Sequence, residues 1–246
     1  MSSEPPTHHI RAAVEVARII DVAGNSGADV RGSYLHVLTG GEHDTNSLVA
    51  GERLLIELGL LIERDGRLYP AGALHVLAKV QRPEAESLIR SAHRSQVEQE
   101  LLDRIGAAGE VAVVDACQDN LASLGHPKLA DQVQQVSLFD DSLGYDVLAP
   151  VIAGPVRMLE VKTSARSTPG IFPFYLSRNE YDVGRRHPDS WALVACTWNG
   201  TDATVLGWCR ASVLTTYLPT DGLGRWTEAH AKFPTHLLAP GVPPPV

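Results

Sequence analysis

Cysteine is scarce in this chain. Cys117, Cys196 and Cys209 are the only three in 246 residues, and no pair has C-x-x-C spacing. A disulfide framework is excluded, and the three thiols fit buried positions in a reducing cytoplasm. Long apolar runs are also missing. No stretch reaches the 18 or so residues that a membrane helix needs, and no charged start leads into an apolar signal core, so neither a span nor a signal peptide is expected. Basic residues are outnumbered: 21 Lys and Arg against 29 Asp and Glu give a formal net charge of −8. That balance argues against a general nucleic-acid coat, which needs a basic surface, but it leaves room for local phosphate contacts. The ten histidines are scattered without zinc-ligand spacing. There is no internal repeat.

What is present reads as two domains. Residues 1–7 are polar and proline-rich and are expected to be disordered. "HHIRAAVEVARIIDVAG" carries apolar residues at helical spacing and stops at Gly24. "VRGSYLHVLTGG" reads as a second short helix. "DTNSLVAGERLLIELGLL" opens with capping residues and runs into a leucine-rich amphipathic face. "LIERDGRLYP" then reads as a hairpin around Asp65-Gly66. Three helices followed by a hairpin, over residues 8–80, resemble a winged helix-turn-helix. Yet residues 1–80 hold seven Lys and Arg against ten Asp and Glu. Arg53 is the single base on the candidate recognition helix, where a DNA reader places several donors. DNA contact stays open for this domain, as does dimerisation or partner docking.

"PEAESLIRSAHRSQVEQELLDRI" is expected to form a charged connecting helix over 81–105, entered through a proline at its first turn and broken at Gly106 and Gly109. Residues 106–240 form the second domain, followed by a tail over 241–246. There "EVAVVDACQDNLASLG" starts a new helix and "HPKLADQ" a loop. "QVQQVSLFD", "GYDVLAPVI" and "VRMLEVKTS" read as strands. "SRNEYDVGRRHP" is a helix, and "WALVACTW" and "ATVLGWC" are strands around Asn199-Gly200. "TEAHAKFP" reads as a short helix. The aromatic residues of "IFPFYLS" and the strand tryptophans are expected to be core or interface.

One short run within this domain carries chemistry. In "MLEVKTS", residues 158–164, Glu160 and Lys162 flank Val161, so on a strand they share one face. If the strands before and after residue 150 form a hairpin, Asp146 of "GYD" comes to the same sheet end as Glu160. Two converging carboxylates suit Mg²⁺, which takes one or two of them along with waters and phosphate oxygens. Lys162 is then placed to orient or deprotonate a water. Glu110 is expected to open its helix, either as a site acid or as a partner of the helix dipole. Ser177 and Glu180 have the spacing of a capping box. Alternatively, Arg178, Asn179 and Glu180 contact the substrate phosphate.

The order of these residues resembles two nested families. "GYDVLAP…MLEVK" looks like the D…ExK core of the PD-(D/E)XK nucleases, with Tyr145 where that motif has proline. Residues 106–200 resemble more closely the domain first noted at the C-terminus of the plant protein NO VEIN. The ordered features are Gly109-Glu110, Val136-Ser137, Gly144-Tyr145-Asp146, Leu159 to Lys162, and Leu176 to Glu180. The resemblance implies an α+β fold with a restriction-endonuclease-like αβββαβ core around a mixed central sheet. It also implies Mg²⁺ or Mn²⁺ on Asp146 and Glu160, and catalytic roles for Lys162 and Glu110. The implied activity is a hydrolase, a metal-dependent DNA endonuclease of bacterial restriction-modification or antiviral defence, in the cytoplasm. Double-strand scission with one cut per subunit implies a homodimer, with other defence subunits as further partners. The alternative is a nuclease fold that has lost its chemistry and serves as a DNA-binding, sensing or adaptor protein.

Overall fold

The computed structural model describes residues 4–23, 32–165, 168–222 and 224–245. The expected stop of the first helix at Gly24 and residues 1–3 of the N-terminal segment lie outside the described residues. Further along that segment, Glu4 pairs with Arg90 at 2.6 Å.

The chain divides into two compact units, residues 1–101 and 102–246. In the first, α1 (Thr7–Ala23), α2 (Gly32–Leu38) and α3 (Thr45–Glu57) precede a hairpin of β1 (Leu61–Arg64) and β2 (Arg67–Pro70), then α4 (Leu74–Lys79). α3 starts because the Asp44 carboxylate accepts the Ser47 N–H, a side-chain cap at 2.9 Å. The hairpin turns at Asp65-Gly66, both with positive φ, as a two-residue turn of this kind requires. The core of the unit is wholly aliphatic, with Ile10, Ile20, Leu35, Leu48, Leu55 and Leu68 at its centre.

The connecting helix does not break. α5 runs without interruption from Arg82 to Ser123, about 63 Å at 1.5 Å per residue. Each helix-interior glycine costs roughly 1 kcal/mol relative to alanine, which is why Gly106 and Gly109 read as a break. Packing overrides that cost at Gly109. A Cβ there would lie 1.8 Å from Thr163 Oγ1, so only glycine lets α5 approach this strand so closely.

The second unit is α+β around a mixed five-stranded sheet. Its elements are α6 (Pro127–Ala130), β3 (Gln134–Gln135), β4 (Val147–Ala149), β5 (Arg157–Ser164), β6 (Ile171–Ser177), α7 (Arg178–Arg186), β7 (Trp191–Trp198), β8 (Ala203–Cys209), α8 (Ala211–Leu214) and β9 (Glu228–Pro234). The sheet order is β3-β4-β5-β7-β8. β4 and β5 form the expected antiparallel pair, and β5 runs parallel to β7. One face packs Leu159, Val161, Ala192 and Val194 against Val113, Cys117 and Leu121 of α5. The other packs Met158, Trp191 and Leu193 with Tyr181 and Val183 of α7 and with Phe172, Phe174 and Phe233.

Further segments differ from their sequence expectation: "HPKLADQ", expected as a loop, holds the one-turn helix α6. "TEAHAKFP" is the strand β9, whose residues alternate exposed and buried. It was expected as a short helix, but its period is two. β9 pairs with β6 in a separate two-stranded sheet. β6 itself was hidden by Pro173, which can donate no ladder hydrogen bond and demotes a strand reading. The three cysteines are free and buried. Burial pushes the Cys117 thiol up to about 11 and those of Cys196 and Cys209 to about 12. Their burial is as the sequence suggested, and a thiol held protonated is a poor nucleophile. No described helix is long and apolar enough to cross a membrane.

Candidate active site

The alternation of β5 decides which face carries the charges. Leu159 and Val161 point to the α5 side and Met158 to the α7 side, so Glu160 and Lys162 fall on the α7 face. Glu160 is only 2% exposed. Its Oε1 lies 2.7 Å from Lys162 Nζ, and the same ammonium reaches Glu180 Oε2 of α7 at 3.1 Å. Glu180 holds this position through its cap. Ser177 accepts the Glu180 N–H, and Glu180 Oε2 accepts the Ser177 N–H at 2.8 Å. The capping box and the site role are therefore one arrangement, since the carboxylate oxygen that caps α7 also reaches the lysine.

Asp146 sits just before β4, where its N–H donates to the Leu159 carbonyl at 2.9 Å. Its Oδ2 accepts the Val161 N–H at 2.7 Å, taking a backbone donor of β5. The Asp146 charge bears on Glu160, and Asp146 itself feels Glu110, Lys162 and Glu180. The turn that delivers Asp146 is held from several directions. The Trp191 indole N–H donates to the Gly144 carbonyl at 3.0 Å, and the Asn179 amide donates to the Ser142 carbonyl at 2.8 Å. Gly144 has φ +75°, and a Cβ there would lie 2.8 Å from Val183 Cγ2, so α7 packs directly on this turn. Asn179 thus positions the loop leading to Asp146.

Glu110 lies in the interior of α5, because the helix starts far upstream at Arg82. That corrects the expectation that it opens a helix, and with it the helix-dipole reading. Its Oε2 accepts from Gln135 Nε2 at 2.6 Å and from the Ser137 hydroxyl. Gln135 and Ser137 are residues that spacing alone did not single out. The ordered "VS" before "GYD" contains Ser137, whereas no motif marks Gln135. Arg178 is not brought to the lysine. Its guanidinium pairs with Asp221 at 2.6 Å and Asp182 at 3.0 Å and lies over the Trp226 ring.

Lys162 thus contacts Glu160 and Glu180 and feels Asp146, which in turn feels Glu110. Burial raises Asp146 to about 6, and the neighbouring acids add to the shift, against the Val161 N–H and Lys162. Burial pushes Glu160 well above the ordinary glutamate range, with Lys162 opposing and Asp146 and Glu180 reinforcing. For Lys162, burial works toward the neutral amine, but Glu160, Glu180 and Asp146 together outweigh it and hold the ammonium charged. Carboxyls pushed up by burial and by one another resist ionising, and a divalent cation beside them would favour their charged form. Among the described residues no three His, Cys, Asp or Glu side chains are gathered as a ligand set. Asp146 and Glu160 are two carboxylates that could ligate Mg²⁺, which keeps several waters and needs only one or two.

Comparison with known proteins bears on the same span. Residues 109–206, less than half of the chain, match the family model described as Protein NO VEIN, C-terminal. No curated protein and no solved structure shows significant similarity. The matched segment begins at Gly109 and contains Glu110, Asp146, Glu160, Lys162 and Glu180, so every member of the acidic cluster falls within what is similar to the NO VEIN C-terminal domain.

Proposed function

We propose that residues 102–246 form a Mg²⁺-dependent phosphodiesterase domain of the PD-(D/E)XK type that cuts DNA, with the residue 1–101 unit serving as a winged-helix module. The single observation that carries this reading is the cluster of buried Glu160 with part-buried Asp146 and Lys162, where β4 begins beside the middle of β5, with more acid than base. Titratable groups perturbed together by burial and by specific charge partners mark functional sites. Asp146 and Glu160 would hold the cation, which supplies Lewis-acid stabilisation of the phosphoryl oxygens. Lys162, kept protonated by Glu160 and Glu180, donates hydrogen bonds. Its role is to orient a water or a phosphate oxygen, not to remove a proton. The Val161 N–H fixes Asp146 through Oδ2. Asn179 and Trp191 hold the turn that presents this aspartate, and Gln135 and Ser137 fix Glu110.

Bacterial restriction or antiviral defence is the setting that the resemblance to the NO VEIN C-terminal domain supports, with a homodimer as the form that cuts both strands. Incubating the chain with plasmid DNA and Mg²⁺ or Mn²⁺ tests the reading. Cleavage is expected to fall about a thousandfold or more in Glu160→Gln and Lys162→Ala, several kcal/mol of lost transition-state stabilisation. Cleavage that survives both substitutions, or no cleavage of any modified or unmodified DNA, would leave a binding or sensing module instead.

A further inference from the structure

The ribbon formed by β6 and β9 has a buried side and an open side. Phe172, Phe174, Leu176, Ala229, Ala231 and Phe233 point inward. The residues between them point out, and in the middle of this outer face Tyr175 pairs directly with His230. Tyr175 is 58% exposed, although it lies in a run of otherwise buried aromatics. Its ring is stacked on the His230 imidazole, with centroids 4.6 Å apart and planes 24° from parallel. Lys232, one outward position further along β9, is exposed and sits opposite Pro173. At the other end of the face, Glu228 lies opposite Ser177.

An exposed pair of stacked rings next to an ammonium has the chemistry of a base-stacking platform. Each nucleobase offers a π-face to an aromatic ring, and a lysine beside it meets the phosphate. Position adds to the argument. Tyr175 is two residues, about 7 Å, from Ser177, whose capping box includes the glutamate that contacts Lys162. Both side chains lie on the same face of β6. That spacing is about one nucleotide step along an extended strand.

We propose that the outer face of the β6–β9 ribbon binds single-stranded nucleic acid, with an unpaired base stacked on Tyr175 and His230 and an adjacent phosphate on Lys232. This deepens the phosphodiesterase reading and rests on it for the site next door. The substrate it selects is DNA with an unpaired segment at the cut, because in a closed duplex the base faces are covered by their neighbours.

Fluorescence anisotropy on the full chain tests this, using labelled oligo-dT and a blunt duplex, with Ca²⁺ replacing Mg²⁺ to hold back cleavage. The wild type is expected to prefer the single strand. Tyr175→Thr, which keeps a strand-forming residue, should weaken single-strand binding roughly tenfold or more, while Tyr175→Trp should restore it. Lys232→Ala should lower the salt slope by about 0.7, one phosphate contact on a single strand. Equal affinity for strand and duplex would overturn the proposal. So would a Tyr175→Thr variant that melts like the wild type and binds the strand as tightly. Tyr175-dependent binding without cleavage in Mg²⁺ would keep the platform and remove the enzyme. Cleavage with binding indifferent to Tyr175 would do the reverse.

Discussion

The two units handle charge in opposite ways. In residues 1–101 the core is aliphatic throughout and the ions pair near the surface. Arg82 bridges Glu15 and Glu42, Arg90 meets Glu4, and Arg11 meets Glu86. Such pairs cost little to make and contribute little. In residues 102–246 charge is carried inward to β5, where Glu160 is almost fully covered and acids outnumber the lysine. Burying unbalanced charge is expensive, so the second unit gives up stability that the first does not. The contrast teaches where to look for chemistry: a fold that only had to be stable would resemble its neighbour.

Substitutions can break this comparison, and the largest effect is expected at the lysine. Lys162→Met leaves Glu160 covered with no cation at its side. Removing one partner of a buried pair costs about 3–5 kcal/mol. The loss should shrink as pH falls, because acid favours the neutral carboxyl at Glu160, as chemical denaturation across a pH series will show. A surface pair in the first unit should show no such pH dependence.

The second prediction concerns Asp146. Its folded pKa of about 6 lies above its ordinary 3.8. A raised acid pKa stabilises the fold fully below about 3.8, and that stability is lost as pH rises through about 6. The span corresponds to roughly 3 kcal/mol. Asp146→Asn should therefore stabilise the metal-free protein at pH 7.5, and the difference from wild type should vanish near pH 4. Unchanged melting at pH 7.5 would mean that the acid is not under electrostatic stress.

The third prediction separates two glycines of one helix. Gly109→Ala forces a methyl into Thr163 and should cost about 1–3 kcal/mol. Gly106→Ala meets nothing within 4 Å and should gain about 0.5–1 kcal/mol from helix propensity. Thermal melts of both will read the contrast directly. The smallest effect is expected from Glu42→Gln on the first unit's surface, where the Arg82 guanidinium holds the carboxyl below its usual range. Its melting temperature should move less than in any variant above.

Much of this was legible in the sequence because it depends on short-range rules. The strand face shared by Glu160 and Lys162, the β4–β5 pairing that brings Asp146 alongside, and the Ser177 cap all follow from period two or from a three-residue spacing. What escaped depends on contacts between distant segments. Gly106 and Gly109 read as a stop because nothing local shows that Thr163 lies against Gly109. The partner of "EAHAKFP" lies more than fifty residues away, and with Pro173 in the opposite strand neither half of that ribbon announces itself. Arg178 has the composition of a phosphate ligand, and only the fold shows Asp182 and Asp221 already holding it.

Calorimetric titration of Mn²⁺ into the wild-type chain and Asp146→Asn at pH 7.5 is the most direct test of the central claim, that Asp146 and Glu160 hold a divalent cation between them. The account predicts a binding isotherm in the wild type that disappears in the variant while the variant stays folded. No heat in the wild type, or the same isotherm in both proteins, would contradict it.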